Sequence, residues 1–213
     1  EYKDKFESVA IAEPMLGEVG DDATVINDDK KAVAQAITDE ACKEAGYDSM
    51  EAAAKDGTAF VFMGHGTSHT ANVTYDQMQT QMEDLGFTNA FIGTVEGEPE
   101  DTECQAVIAK VKDAGFKKVV LRPLMVVAGD HANNDMAGDD DDSWKSQFNA
   151  SGAFDSVDCQ IAGLGRIEAV EDLYVEHTKA AIDSLGTADT AEETTDDTAE
   201  AADDSAETTE EAE

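Results

Sequence analysis

The chain has 213 residues, of which 49 are acidic and 14 are basic, and its formal net charge at pH 7 is −35. Such a charge repels phosphate backbones and argues against a nucleic-acid partner. No apolar run is long enough for a transmembrane helix, so we expect no membrane segment within the sequence.

Helical and strand patterns alternate along most of the chain. In chain order, the predicted helices cover residues 1–10, 30–45, 74–85, 101–114, 139–149 and 167–185, and the predicted strands cover residues 59–63, 90–95, 118–127 and 157–162. Residues 24–26 fit either a short strand or a loop. Strands that alternate with helices of this length indicate an α/β fold, in which helices cover both faces of a parallel sheet.

The composition divides the chain into three parts. Residues 55–186 contain all the predicted strands and should form one α/β domain. Residues 1–54 look like the end of a preceding unit of the same kind and its connection, because a helical pattern is already under way at Glu1. We therefore interpret the chain as the C-terminal part of a longer protein. Residues 187–213 contain twelve acids and no basic or aromatic residue, a composition typical of a disordered acidic tail.

Two of the four histidines directly follow strand-like segments. Residues 59–63 lead into Gly64-His65-Gly66, and residues 124–128 lead into Gly129-Asp130-His131. Open α/β sheets bind ligands at the carboxyl ends of their strands, so both imidazoles should meet at that edge. Imidazole and carboxylate suit divalent cobalt, nickel, iron and zinc. We favour a shared metal or acid–base site over the alternative that each histidine only stabilises its own turn.

Several carboxylates are candidate neighbours of these histidines. Asp130 or Asp135 can orient the second ring nitrogen of His131. Glu96 follows a predicted strand and either faces the same cleft or lies at a helix N-terminus. The run at residues 139–142 matches no EF-hand spacing and is better explained as acids at a helix start.

The remaining histidines and the cysteines have simpler interpretations. We expect His69 in a loop and His177 on a helix surface. Cys42, Cys104 and Cys159 are widely spaced and form no Cys-x-x-Cys pair, which predicts buried small hydrophobic residues rather than a disulfide framework or a zinc knuckle.

Several segments of the chain resemble the anaerobic sirohydrochlorin cobaltochelatases. They are Phe62-Met-Gly-His-Gly-Thr-Ser-His69, Val95-Glu-x-x-Pro99, Pro123-Leu-Met-Val-Val-Ala-Gly-Asp-His-Ala-x-Asn-Asp-Met136, Asp139-Asp-x-Asp-Ser-Trp-Lys145 and Gly163-Leu-Gly165. This family contains class II, ATP-independent chelatases that are related in fold to ferrochelatase. The resemblance covers about residues 1–185 and leaves the acidic tail out.

The resemblance implies a two-lobe protein that holds a tetrapyrrole between similar α/β lobes, with this chain as the C-terminal lobe. It implies metal ligation by His65, His131 and a glutamate of a Gly-Asp-Glu-Tyr motif. Glu1-Tyr2 looks like the remainder of that motif, which makes Glu1 the third ligand. The implied reaction is lyase-class insertion of Co²⁺ into sirohydrochlorin during anaerobic cobalamin biosynthesis. No ATP is required, in agreement with the lack of a Gly-rich phosphate loop in the sequence.

Alternatives stay open at the level of sequence. The same ligands accept Ni²⁺ or Fe²⁺ in place of Co²⁺. A non-catalytic carrier of tetrapyrrole or metal would use the same cleft, and a flavodoxin-like domain would need its histidines only for structure. We expect a cytoplasmic protein, with export as the alternative, and a homo-oligomer is possible. The substrate carries many carboxylates, for which Arg122, Lys145 and Arg166 are the candidate partners.

Overall fold

A computed structural model of the chain describes residues 5–191, with side chains described as far as residue 185. The strands are β1 (Thr58–Gly64), β2 (Ala90–Thr94), β3 (Lys118–Pro123) and β4 (Ser156–Cys159). The α-helices are α1 (Asp28–Ala45), α2 (Met50–Lys55), α3 (Val73–Asp84), α4 (Cys104–Asp113), α5 (Trp144–Ala150) and α6 (Glu168–Ala191). One π-helix spans His131–Met136, and 3₁₀ turns span Thr70–Asn72, Glu100–Thr102 and Leu164–Arg166.

The four strands form one parallel sheet in the order β2-β1-β3-β4. Met63 near the end of β1 is in register with Gly93 of β2 and with Pro123 of β3. The carboxyl ends of these three neighbouring strands therefore lie at one edge of the sheet. The predicted α/β fold with a parallel sheet is confirmed.

Helices cover both faces of the sheet, because side chains alternate between the faces along each strand. In β1, Phe60 and Phe62 belong to one buried cluster, which they share with residues of α1, α2, α3 and α6. Val61 and Met63 belong to a second cluster, which includes residues of α4 and α5. The sheet is thus the middle layer of a three-layer domain.

Helix α1 packs in the same core as the sheet. The Asn27 side chain caps its N-terminus, and Gly46 ends it in a left-handed conformation with φ of 80°. Val33 and Ile37 of α1 are buried against the cluster that contains Phe60. The expected boundary between residues 54 and 55 therefore passes through a shared core. The division of the protein into two lobes stays a prediction.

Four predicted element limits are wrong. Of the predicted helix at residues 1–10, residues 1–4 lie outside the described part and residues 6–10 form no helix; Phe6 is 62% exposed, and a single turn without a packing partner is unstable. Strand β3 ends at Pro123, which lacks the N–H that would continue the ladder. Helix α5 begins at Trp144 because Ser143 caps it, and α6 continues through Gly186.

Two helical segments had no corresponding prediction, namely α2 and the π-helix at His131–Met136. The predicted tail at 187–213 is only partly described: residues 187–191 continue α6, and residues 192–213 lie outside the described part. None of the helices described in the structure has the length and apolar character needed to cross a membrane.

Candidate functional site

His65 lies in a tight turn at the end of β1. A side chain at Gly64 would collide with the ring of Tyr75, and Gly66 has φ of +92°, a conformation that favours glycine. The Tyr75 hydroxyl accepts a hydrogen bond from Gly66 N at 2.9 Å. His65 Nδ1 lies 2.9 Å from the Gly66 carbonyl oxygen, which can only accept, so Nδ1 carries the proton. The lone pair of His65 Nε2 is therefore available to a ligand.

His131 is the first residue of the π-helix that follows the loop after β3. Its Nδ1 lies 2.5 Å from Asp135 Oδ2, so the ring donates to this carboxylate. Asp130 instead accepts from the Asn134 side chain at 2.7 Å. Asp135 is thus the carboxylate that orients His131, and no hydrogen bond from the described residues occupies His131 Nε2. π-Helical turns occur frequently at functional sites.

The two imidazoles meet edge to face. Their ring centroids are 4.7 Å apart and their planes are inclined by 86°. With metal–nitrogen bonds of about 2.1 Å, two imidazoles bound to one ion through Nε2 have centroids roughly 4.6 to 5.3 Å apart. The observed centroid separation lies within this range. The predicted meeting of His65 and His131 at the sheet edge is confirmed, and their role as ligands stays a prediction.

The third expected ligand, Glu1, lies outside the described residues. Within residues 5–191, no group of three histidine, cysteine, aspartate or glutamate residues has a geometry that could hold a metal ion. A site with three protein ligands is therefore not seen within the described residues.

The other two histidines lie in different surroundings. His69 accepts from Ala71 N at 3.0 Å and caps a 3₁₀ turn. His177 on α6 contacts the Glu13 carbonyl oxygen at 3.1 Å and Asp29 Oδ1 at 3.2 Å. Its side chain is only 11% exposed, so the expectation of a simple helix-surface residue is wrong.

Glu96 borders the same edge of the sheet as the histidine pair. Its backbone N donates to the His65 carbonyl oxygen at 2.9 Å, and its Cβ lies 3.0 Å from the point where a Cβ on Gly66 would lie. Glu96 and Asp135 line one cleft of about 320 Å³. Neither His65 nor His131 lines this cleft, so the interpretation that Glu96 faces the histidine site stays a prediction.

The acidic run at residues 139–142 precedes α5, as expected for acids at a helix start. Asp139 Oδ1 accepts from Lys145 Nζ at 2.9 Å, and this hydrogen bond lowers the pKa of the Asp139 carboxyl below its ordinary value. The run is therefore explained by local pairing and helix capping.

The cysteines take no part in the histidine site. Cys42 and Cys104 are buried, and burial raises their thiol pKa values to about 11 and about 12. Cys159 is half-buried, and its pKa is raised by the same cause. Such thiols stay protonated at neutral pH and are poor metal ligands.

The three basic residues considered for substrate carboxylates differ in availability. Arg122 is 1% exposed, and its Nη1 donates to Glu44 and Gln160, both at 2.7 Å. Lys145 is paired with Asp139. Arg166 is exposed, and within the described residues no carboxylate pairs with it. The prediction that Arg122 contacts the substrate is therefore wrong. Of the three residues, Arg166 is the one without a carboxylate partner in the described part of the chain.

Comparison with known proteins identifies the family. The model of the cobalt chelatase (CbiK) family matches residues 1–183. The chain belongs to this cobalt chelatase family. It is 43% identical over 122 residues to the sirohydrochlorin cobaltochelatase of Salmonella typhimurium, an alignment that covers 57% of this chain and 44% of the relative.

A second relative of the chain is the sirohydrochlorin cobaltochelatase CbiKC of Nitratidesulfovibrio vulgaris. The two are 34% identical over 138 residues, which is 64% of this chain and 46% of the relative. The chain thus matches less than half the length of each of these curated relatives.

Proposed function

We propose that the protein inserts Co²⁺ into sirohydrochlorin and releases two protons, the step that begins cobalt incorporation in anaerobic cobalamin biosynthesis. The observation that carries the proposal is the edge-to-face pair of His65 and His131, with ring centroids 4.7 Å apart. Membership of the cobalt chelatase family and the names of the two relatives support the choice of metal and tetrapyrrole.

The two histidines would hold the ion through their Nε2 atoms, because hydrogen bonds occupy both Nδ1 atoms. We propose Glu1 as the third ligand, by resemblance to the family. Two imidazoles and one carboxylate leave coordination positions open. The pyrrole nitrogens of the substrate can enter these positions while the protein ligands leave one at a time.

Insertion exchanges the two N–H protons of the tetrapyrrole for one divalent ion, so the site must also accept protons. An imidazole that has lost its metal bond has a free Nε2 that serves as a base. His131 is the stronger candidate, because Asp135 stabilises the imidazolium that forms when Nε2 takes a proton. Charge and atoms balance in this exchange, and by resemblance to the family we propose that no ATP is consumed.

Ligand chemistry does not restrict the substrate metal to cobalt. Imidazole nitrogens also bind Ni²⁺ and Fe²⁺, and the affinities rise from iron through cobalt to nickel whatever the physiological use. Co²⁺, Ni²⁺ and Fe²⁺ should therefore be compared with sirohydrochlorin in parallel. A cytoplasmic location and a homo-oligomeric state stay predictions from the sequence.

The decisive test is His131→Ala in the full-length protein, with insertion followed through the absorption of the tetrapyrrole and corrected for the uncatalysed rate. We expect insertion to be abolished while the circular dichroism spectrum is unchanged. His69→Ala is the matched control, since His69 caps a surface turn and should retain wild-type activity. Full activity of His131→Ala would refute the role of His131.

The same assay separates the enzyme from a non-catalytic carrier. An enzyme converts many equivalents of sirohydrochlorin in the presence of metal. A carrier binds one equivalent of tetrapyrrole or metal and stops. Stoichiometric binding without turnover would favour the carrier that uses the same cleft.

A further inference from the structure

The residues on either side of His65 are buried, although His65 itself is exposed. Gly64 and Gly66 both lie below the surface. The Gly64 carbonyl oxygen accepts from Val95 N at 3.0 Å, and the His65 carbonyl oxygen accepts from Glu96 N at 2.9 Å. These bonds to the segment after β2 hold two carbonyl groups of the turn. The buried Gly66 N–H needs a partner of its own, because a buried donor without one destabilises the fold.

Tyr75 supplies that partner. Its hydroxyl accepts from Gly66 N at 2.9 Å. Its ring packs against Gly64 so closely that a Cβ on Gly64 would overlap Tyr75 Cε1. One side chain thus contacts both residues that flank His65, with the ring on one side and the hydroxyl on the other.

Helix α3 gives Tyr75 a fixed position. Tyr75 lies in the first turn of α3, and Gln79 lies one turn later on the same face. Gln79 Oε1 accepts from Ile92 N at 2.9 Å, and Gln79 Nε2 donates to the Ala90 carbonyl oxygen at 3.2 Å. The Gln79 amide therefore pairs with the backbone of the edge strand β2. Because α3 is attached to the sheet one turn from Tyr75, the hydroxyl is held in place relative to the end of β1.

The orientation of Gly66 determines which nitrogen of His65 carries the proton. His65 Nδ1 donates to the Gly66 carbonyl oxygen at 2.9 Å. At φ of +92°, Gly66 has a conformational freedom that other residues lack. Without a partner for its N–H, Gly66 would turn toward water and its carbonyl oxygen would leave Nδ1. The imidazole could then rotate or change tautomer, and Nε2 would no longer be held ready for a ligand.

We propose that Tyr75 is a positioning residue for His65. Its hydroxyl fixes Gly66, the Gly66 carbonyl oxygen selects the Nδ1–H tautomer of His65, and the lone pair of Nε2 is thereby presented to the metal ion. The proposal rests on the proposed function, in which His65 is a metal ligand. It gives Tyr75 two separable roles: the ring packs α3 on the end of β1, and the hydroxyl serves the metal site.

The test is Tyr75→Phe in the full-length protein, which removes the hydroxyl and keeps the ring. We expect the KM for Co²⁺ to rise about five-fold, which corresponds to about 1 kcal/mol and to the loss of one neutral hydrogen bond. The kcat and the KM for sirohydrochlorin should change by less than about two-fold, because the lost interaction binds the metal equally in the ground state and the transition state.

Tyr47→Phe is the matched control, because it removes a hydroxyl at the opposite end of the same strand. The Tyr47 hydroxyl contacts Thr58 Oγ1 at 2.8 Å, at the start of β1, and donates to Asp56 Oδ2 at 2.6 Å. This variant should leave the KM for Co²⁺ unchanged even if it lowers the denaturation midpoint.

Two measurements on the metal-free protein report the Tyr75 contact without cobalt insertion. The nitrogen NMR shifts of the His65 ring should show the Nδ1–H tautomer in the wild type and in Tyr47→Phe, and a mixture of tautomers in Tyr75→Phe. Hydrogen exchange of the Gly66 amide should be faster in Tyr75→Phe than in the other two proteins.

An unchanged KM for Co²⁺ and an unchanged tautomer in Tyr75→Phe would overturn the role of Tyr75 and leave the proposed function standing. A wild-type His65 that carries its proton on Nε2 would overturn it without any variant. Equal losses in Tyr75→Phe and Tyr47→Phe would show a general effect on stability and would also overturn it. A wild-type protein that inserts no cobalt would instead overturn the proposed function, and the tautomer measurement would still decide whether Tyr75 positions His65.

Discussion

The contact between His131 and Asp135 gives the most specific prediction about the metal site. Asp135→Ala removes the carboxylate that lies 2.5 Å from His131 Nδ1 and leaves the Nε2 donor intact. Removal of such an outer partner typically lowers metal affinity or activity by about 10- to 100-fold. Because the side chains of His131 and Asp135 are 37% and 44% exposed, solvent screening reduces the effect. We therefore expect a loss near ten-fold, which corresponds to about 1.4 kcal/mol.

The assay measures initial rates of cobalt insertion and the affinity for Co²⁺ in the absence of the tetrapyrrole. Asp135→Asn should lose less than Asp135→Ala, since the amide oxygen still accepts a hydrogen bond but carries no charge. Asp130→Ala is the matched control: it removes one carboxylate beside the same histidine, but its partner is Asn134. Wild-type rates in Asp135→Ala would refute the orienting role. An equal loss in Asp130→Ala would show that local charge, and not orientation of the ring, is responsible.

Two further predictions concern stability. Gly66→Ala should destabilise the protein by about 1 to 3 kcal/mol and reduce cobalt insertion, because φ is +92° and the new Cβ would lie 3.0 Å from Glu96. The control Gly46→Ala, with φ of +80° and open space around the residue, should destabilise the protein less and preserve activity. Equal denaturation midpoints for the two variants would contradict this prediction. Hydrogen bonds from Lys118 and Tyr47 hold the pKa of Asp56 below its ordinary value, so its contribution is present above the unfolded pKa of about 3.9 and is lost as the pH falls through the folded pKa. Asp56→Asn should therefore show a shallower loss of stability below about pH 4 in denaturation curves, and parallel pH profiles would exclude this contribution.

The sheet and the meeting of the two histidines follow from local sequence patterns. Each strand is a short apolar run, and the topology of parallel strands brings the residues after β1 and β3 to the same edge. Short elements were harder to predict. Helix α2 has six residues and too few turns for a periodic signal.

The choice between Asp130 and Asp135 depends on geometry that spacing does not encode. The two carboxylates lie one residue before and four residues after His131, and both can reach an imidazole in some conformation of the loop. The helical turn decides between them, because Asp135 lies four residues after His131 and contacts its ring, whereas Asp130 contacts Asn134. The burial of Arg122 could likewise not be predicted from the sequence, because its position in β3 does not indicate the contacts with Glu44 and Gln160.

The number and the state of the imidazoles agree with the stoichiometry of the proposed reaction. Insertion of one divalent ion releases two pyrrole protons, and the described residues provide two imidazoles whose Nε2 atoms are free of hydrogen bonds within the described part of the chain. Their stabilisation differs: a carbonyl oxygen faces His65 Nδ1, whereas a carboxylate faces His131 Nδ1. A charged hydrogen-bond acceptor is therefore available to the His131 ring, and only a neutral one to the His65 ring. We infer that His131 takes the first proton as it leaves the metal, and that His65 retains the ion longer.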